Sequence, residues 1–139
     1  MRVDKNLSDA KDVAEVVPWE LQNGKVLADS IDWYASGHVT EPDAAQGSCG
    51  ACWAFAASSL LESLSAIKLQ KPAERYSIAQ LIDCDDINDG CEGGWMYDAF
   101  EYTSKHGILK QEDYSHLYKQ WKSPSCDADD SRAVFRNSG

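Results

Sequence analysis

Apolar and polar positions divide the chain into three helical stretches joined by turn-rich connectors. From Ala51 to Ile67 no Gly or Pro interrupts, and Ala and Leu dominate. That composition predicts an α-helix. Ala56, Leu60, Leu64 and Ile67 recur at helical spacing, with Ala57 and Leu61 widening the face. A helix apolar around most of its surface belongs in a core, so burial is expected along this stripe. A polar connector containing Pro72 follows, and Ser77 to Cys84 then reads as a short helix. Ser77 is its N-cap, and Gln80 three residues later completes a capping box. Asp85 to Gly94 is turn-rich. A third helix is predicted over Trp95 to Lys105, with Trp95, Ala99 and Tyr102 on one side and Met96 and Phe100 on another. His106-Gly107 ends it, with Gly107 as a left-handed cap. Ile108 to Trp121 has a mixed pattern, and Asp127 to Gly139 reads as polar and loose. Residues 1–26 show weak periodicity broken by Pro18 and Gly24, and read as a leader or propeptide remnant before a domain at 27–139.

Composition narrows the function classes. The chain has 139 residues, 43% of them hydrophobic and 26% charged, an ordinary globular balance. Its formal net charge of −10 argues against nucleic acid as a partner, because phosphate binding needs clustered Lys and Arg. No apolar run approaches a membrane span, and the charged, polar stretch after Met1 does not read as a signal peptide, so either one has been removed or Met1 is not the natural start. Asn6-Leu7-Ser8 is a glycosylation sequon. There are five cysteines, an odd number. Two disulfides and one free thiol would use them all, a pattern of oxidising compartments. Five choices of free thiol and three pairings of the rest leave fifteen arrangements open.

The candidate chemistry lies in Gln46-Gly47-Ser48-Cys49-Gly50-Ala51-Cys52-Trp53-Ala54-Phe55. Gly47 and Gly50 permit a tight backbone before the first helix. Cys52 then falls at the first helical turn, where unpaired N–H groups and the positive end of the helix dipole converge. Such a position stabilises a thiolate, and the thiolate is the nucleophile. Cys49 and Cys52 also form a C-x-x-C pair, as in thiol–disulfide redox sites, but Trp53 follows the pair instead of preceding it. Zinc on Cys49, Cys52, Cys84 and Cys91 would need an unusual spacing in the second pair, so no metal is expected. No cofactor is implied either.

The ten-residue string closely resembles the active-site segment of papain-like cysteine proteases, cathepsin L-like members included. A second motif, Gly90-Cys91-Glu92-Gly93-Gly94, and the helix ending Asp83-Cys84 resemble further signatures of that family. The resemblance spans about Leu27 to Cys126, with Ile31-Asp32-Trp33 similar to the family's mature N-terminus. Trp33 and Val39 are expected at an interdomain edge or in the core. Ala45 stands where the family often has Asn, and Ser115 follows Glu112-Asp113-Tyr114 where Pro is usual. The fold implied is α+β for the whole family, with this chain its mainly α-helical left domain, carrying a long central helix and disulfide-tied loops, without the β-rich right domain.

The same resemblance implies roles. Cys52 is the nucleophile, and Gln46 donates to the oxyanion with the backbone N–H of Cys52. Gly50, Glu92, Gly93, Gly94, Trp95 and Met96 bind substrate. Gly94 pairs with an extended peptide through main-chain bonds, and Trp95 and Met96 border an apolar pocket. Glu92, where the family frequently has Asn, adds a negative charge that favours basic groups. The implied disulfides are Cys49–Cys91 and Cys84–Cys126. The implied reaction is peptide-bond hydrolysis through a thioester, needing a His base and an orienting Asn. The family supplies both from the right domain, and His38, His106 and His116 match neither position. This chain alone is therefore expected to be catalytically incomplete. Its expected partners are a peptide or protein substrate, the right-domain segment and a protein inhibitor. A non-catalytic peptide- or inhibitor-binding fragment is the alternative. Lysosomal, vacuolar or extracellular location follows from the same resemblance.

Overall fold

The structure, a computed structural model, describes residues 28–41, 46–115 and 126–138. The expected leader, the sequon at Asn6, the approach through Pro42 to Ala45, His116 and the stretch around Pro124 lie outside the described residues. The chain divides into two compact units, Met1–Ile31 and Asp32–Gly139. Of the first, only residues 28–31 are described, and they are exposed.

The second unit holds all the helices. Three α-helices form in the predicted order: α1, Cys52–Leu69; α2, Ile78–Cys84; and α3, Met96–His106. Short 3-10 turns occupy Gly90–Glu92 and Asp130–Arg132. Among the described residues there is no strand, only isolated antiparallel bridges between Tyr76 and Lys110 and between Ile108 and Phe135. Helix α1 packs against both α2 and α3. The core gathers Trp53, Ala54, Ala57 and Leu61 of α1, Ile78, Leu81 and Ile82 of α2, and Ala99 and Tyr102 of α3, closed by Tyr76, Ile108 and Phe135.

The buried face of α1 keeps only part of the expected one, Ala57 and Leu61. Ala56, Leu60 and Leu64 are exposed and Ile67 is half-buried, whereas Ser58, Glu62 and Ser65 are buried beside Leu61. Buried polar groups persist only when bonded, and these are. Glu62 Oε1 accepts from the Tyr76 N–H at 2.9 Å, and Oε2 accepts from Thr40 Oγ1 at 2.5 Å. The Ser58 hydroxyl lies 3.1 Å from Glu62 Oε1 and 3.2 Å from the Tyr76 carbonyl. The Tyr76 hydroxyl donates to Ser65 Oγ at 2.6 Å. The polar side of α1 thus organises the chain around Thr40 and Tyr76. Burial raises the Tyr76 phenol above its ordinary range.

Ser77 caps α2 by accepting from the Gln80 N–H at 3.0 Å. The other half of the expected capping box is not made. Gln80 is fully buried, and its side chain accepts from the Leu109 N–H at 2.8 Å and donates toward Tyr102 and the Gly107 carbonyl. The Ser77 N–H is bonded instead to the Leu109 carbonyl at 2.9 Å. Gln80 therefore joins three segments, which a longer reach into the core makes possible.

Gly107 ends α3 with φ +78° and ψ −176°, so it is extended at positive φ and not left-handed helical. A Cβ there would stand 2.6 Å from Ala133 Cβ. The residues after Cys126 are correspondingly not loose throughout. Phe135 is buried, the Ile108 N–H donates to the Phe135 carbonyl at 2.9 Å, and Asn137 bonds Thr103 and the Phe100 carbonyl. Trp33 and Val39 are both exposed, not core residues. Trp95 is also exposed and precedes α3 instead of packing with Ala99 and Tyr102.

Candidate active site

Two stretches meet at the start of α1. Cys49 is bonded to Cys91, and Cys84 to Cys126. Cys52 is the free cysteine and is exposed. Its neighbours are the opposite: Cys49, Ala51 and Trp53 are buried. The first stretch is held to the second by more than its disulfide. The Gly50 N–H donates to the Cys91 carbonyl at 2.7 Å, and the Trp53 indole donates to the Gly90 carbonyl at 3.0 Å. A Cβ on Gly50 would lie 2.4 Å from that Cys91 oxygen, so only glycine fits this approach. Gly50 therefore serves the joint between the two stretches.

No side chain caps α1, and within its first turn the Ala54 N–H donates to the Ala51 carbonyl at 2.9 Å. Cys52 begins that turn. Gln46 is half-buried, and its Nε2 donates to the Cys49 carbonyl at 2.6 Å. A carboxamide nitrogen carries two hydrogens, and this bond uses one. It fixes Gln46 to the loop that leads into Cys52.

The second stretch supplies the other side. Gly93 has φ +128° and ψ 176°, a conformation open essentially to glycine alone, and no atom lies within reach of a Cβ there. Gly94 is glycine for a different reason. A Cβ would stand 2.2 Å from Asn88 Oδ1, because the buried Asn88 side chain lies against it. Asn88 Oδ1 accepts from the Trp95 N–H at 2.6 Å, and Nδ2 donates to Asp85 Oδ2 at 2.6 Å. Asp85 is 3% exposed, and Oδ1 also accepts from the Ile87 N–H at 3.1 Å. Burial raises the Asp85 carboxyl above its ordinary range, against the pull of its hydrogen bonds from Asn88 and the loop backbone; Asp98 pushes it further up. Glu92 is exposed. Trp95 and Met96 are 72% and 40% exposed, free to meet a ligand.

Sequence pattern alone marks the Asn88 and Asp85 stretch only as a turn and misses both residues. The available signal is an Asp directly after α2 with an Asn three residues on, both ahead of paired glycines. The two described histidines are engaged elsewhere. His38 Nδ1 lies 2.8 Å from Ser36 Oγ and its ring meets Trp33 edge-on. His106 Nδ1 lies 2.8 Å from Asp130 Oδ2 and its ring stacks on Tyr102. The C-x-x-C pair is not bonded to itself, and three of the four sulfurs weighed for zinc sit in disulfides. Among the described residues no helix is long and apolar enough to cross a membrane.

Comparison with known proteins gives one consistent picture. Residues 27–138 match the family described as papain family cysteine protease. The chain is 40% identical over 114 residues to the cysteine protease Amb a 11.0101 of Ambrosia artemisiifolia, covering 81% of this chain and 28% of that protein. It is 36% identical to a cathepsin L-like proteinase of Fasciola hepatica, covering 79% of this chain and 34% of that one. Among solved structures, digestive procathepsin L 3 of Tenebrio molitor larval midgut superposes with a TM-score of 0.71 at 34% identity, over 84% of this chain and 37% of that chain. The proform crystal structure of Amb a 11 gives the same TM-score at 39% identity, over 85% of this chain and 35% of that chain. The chain thus spans roughly a third of the length of the relatives it matches.

Proposed function

The chain belongs to the papain family of cysteine proteases, and on that premise we propose that it is the nucleophile-bearing part of a cysteine-type endopeptidase. Cys52 attacks the scissile carbonyl as a thiolate and forms a thioester, the C–N bond breaking as the amine leaves with a proton from an imidazole. Water then hydrolyses the thioester to the acid and frees the thiolate. The Cys52 N–H and the second N–H of Gln46 stabilise the oxyanion. A substrate peptide lies extended along Gly93–Gly94, with an apolar side chain toward Trp95 and Met96 and a preference for basic groups near Glu92. Proton transfer needs an imidazole outside the described residues, with an Asn to orient it. A right-domain segment is the proposed source of both. A protein inhibitor would use the same edge. The two disulfides support an oxidising compartment, lysosomal, vacuolar or extracellular.

One observation carries this reading. The only free thiol among the described residues is exposed, at a helix start without a side-chain cap and between buried neighbours. Its test is peptide mapping of the folded, unreduced protein after iodoacetamide at pH 5 and pH 8. Labelling confined to Cys52 is expected, and fast labelling already at pH 5 would place an imidazole beside it. Label spread over several cysteines would contradict the assigned disulfides and the reading with them.

A second reading rests on the engagement of His38 with Ser36 and of His106 with Asp130. In it the chain binds peptides or inhibitors without cleaving them. Binding by Cys52→Ser equal to that of the native protein, with no turnover by either, would favour it.

A further inference from the structure

We infer that Asp85, acting through Asn88, is a positioning residue for the Gly93–Gly94 edge. The inference deepens the proposal above and rests on its reading of that edge as the peptide-binding surface. No strand flanks Gly93 and Gly94 among the described residues, so no ladder of backbone bonds sets their course. The Asn88 side chain does this instead. Its amide holds both main-chain groups of Trp95, accepting from the N–H at 2.6 Å and donating to the carbonyl at 3.3 Å. Its Oδ1 fills the place where a Gly94 Cβ would be. At the other end, the Asp89 N–H donates to the Gly93 carbonyl at 3.0 Å.

An amide can sit either way round, and only one way suits Trp95. The bond to Asp85 reinforces the choice that the two Trp95 groups favour. An ionised carboxylate is an acceptor only, so the atom 2.6 Å from Asp85 Oδ2 must be the Asn88 nitrogen. The Asn88 oxygen is then turned to the Trp95 N–H. A protonated Asp85 can donate, and so can face the amide oxygen equally well. In that flipped state the Asn88 nitrogen would confront the Trp95 N–H, donor against donor, and the edge would lose its template. The groups around Asp85 are its own loop's Ile87 and Asn88 N–H groups, Asp98 and Tyr102 of α3, and Asp83 and Asp86 beside it in sequence. No Lys or Arg occurs between Arg75 and Lys105, and Lys105 pairs with Glu101 at 2.7 Å. Ordering of the edge is therefore coupled to ionisation of Asp85.

The test compares the native protein with Asp85→Asn, which keeps the shape but not the charge, and with Asn88→Ala. Two quantities are read across the acid range. One is hydrogen exchange at the Trp95 amide, corrected for intrinsic rate. The other is the rate at which a peptidyl chloromethyl ketone labels Cys52, divided by the rate for iodoacetamide. The native protein should lose Trp95 protection and the peptidyl advantage together on acidification. Loss of one buried hydrogen bond corresponds to about a tenfold fall in each quantity, expected in Asp85→Asn at neutral pH, with no further acid dependence. Exchange and rate ratio in Asp85→Asn that follow the native profile would overturn the inference. Should either variant fail to fold, a native Trp95 profile flat across the acid range overturns it alone. A native protein with no peptidyl advantage at any pH would instead remove the edge reading, leaving Trp95 exchange to judge the role of Asp85.

Discussion

The two sides of the candidate site are fixed by different means. On the Gln46–Trp53 side the ties are covalent or end on backbone carbonyls: a disulfide, the Gly50–Cys91 bond at 2.7 Å and the Trp53 indole on the Gly90 carbonyl. On the Gly93–Met96 side the tie is a buried side-chain relay, Asp85 to Asn88 to Trp95. The first arrangement leaves little to titrate or rotate, which suits a residue whose thiol must stay in place. The second can loosen without unfolding the domain, because it depends on one amide orientation and one charge. The proposed nucleophile thus has a rigid mount, and the proposed peptide edge beside it an adjustable one.

The contrast can be broken most severely at the disulfide. Cys49→Ser with Cys91→Ser removes a link of sequence separation 42, worth about 4 kcal/mol of unfolding free energy by chain entropy. Denaturant titration should show that loss. Cys84–Cys126 has the same separation, so its removal should cost a similar amount. The two differ in access: Cys49 is buried and Cys126 exposed. Partial reduction followed by mapping should therefore open Cys84–Cys126 first. Equal rates would show that the first side is less rigid than described.

A smaller effect separates the two glycines. Gly94→Ala drives a Cβ into Asn88 and should cost roughly 1–3 kcal/mol by overpacking, and it should accelerate Trp95 exchange as Asn88→Ala does. Gly93→Ala meets no atom and incurs only backbone strain at φ +128°, of order 1–3 kcal/mol, leaving Asn88 in place. Matching stabilities with different Trp95 exchange would sharpen the comparison. The same exchange in both variants would break it.

The smallest effect is in pH. Asp85 has its carboxyl raised by burial, so the folded state holds the proton more tightly than the unfolded chain. Its contribution to stability is full below the unfolded value and is lost as pH rises through the raised folded one. Unfolding free energy should fall slightly over that acid window, and Asp85→Asn should flatten the slope. Ionisation thus orders the edge while costing global stability, as expected where function and stability pull apart.

Much of the fold and the site is legible in the sequence, because strong local signals meet little competition. Helix α1 is expected to start at Ala51 and starts at Cys52; α3 is expected from Trp95 and begins at Met96. Ser77 caps α2 as a Ser before an apolar run should. The free thiol and the paired cysteines are implied by resemblance to a family to which the chain belongs. The buried face of α1 is legible only in part. Apolar residues circle that helix, and the choice falls to Ser58, Glu62 and Ser65, whose partners Thr40 and Tyr76 come from elsewhere in the chain. Gln80 misleads for a related reason. Its spacing from Ser77 fits a capping box, but a bond to Leu109, with a separation of 29, wins. Asn88 and Phe135 likewise act through tertiary contacts that periodicity does not record.

The most direct test of the account joins the two sides in one adduct. A peptidyl chloromethyl ketone should alkylate Cys52 alone, and hydrogen exchange at Gly94 should slow once it is attached, because the peptide main chain bonds to that edge. An adduct on Cys52 that leaves Gly94 exchange unchanged, or an adduct on any other residue, would contradict a nucleophile set beside a peptide-binding edge.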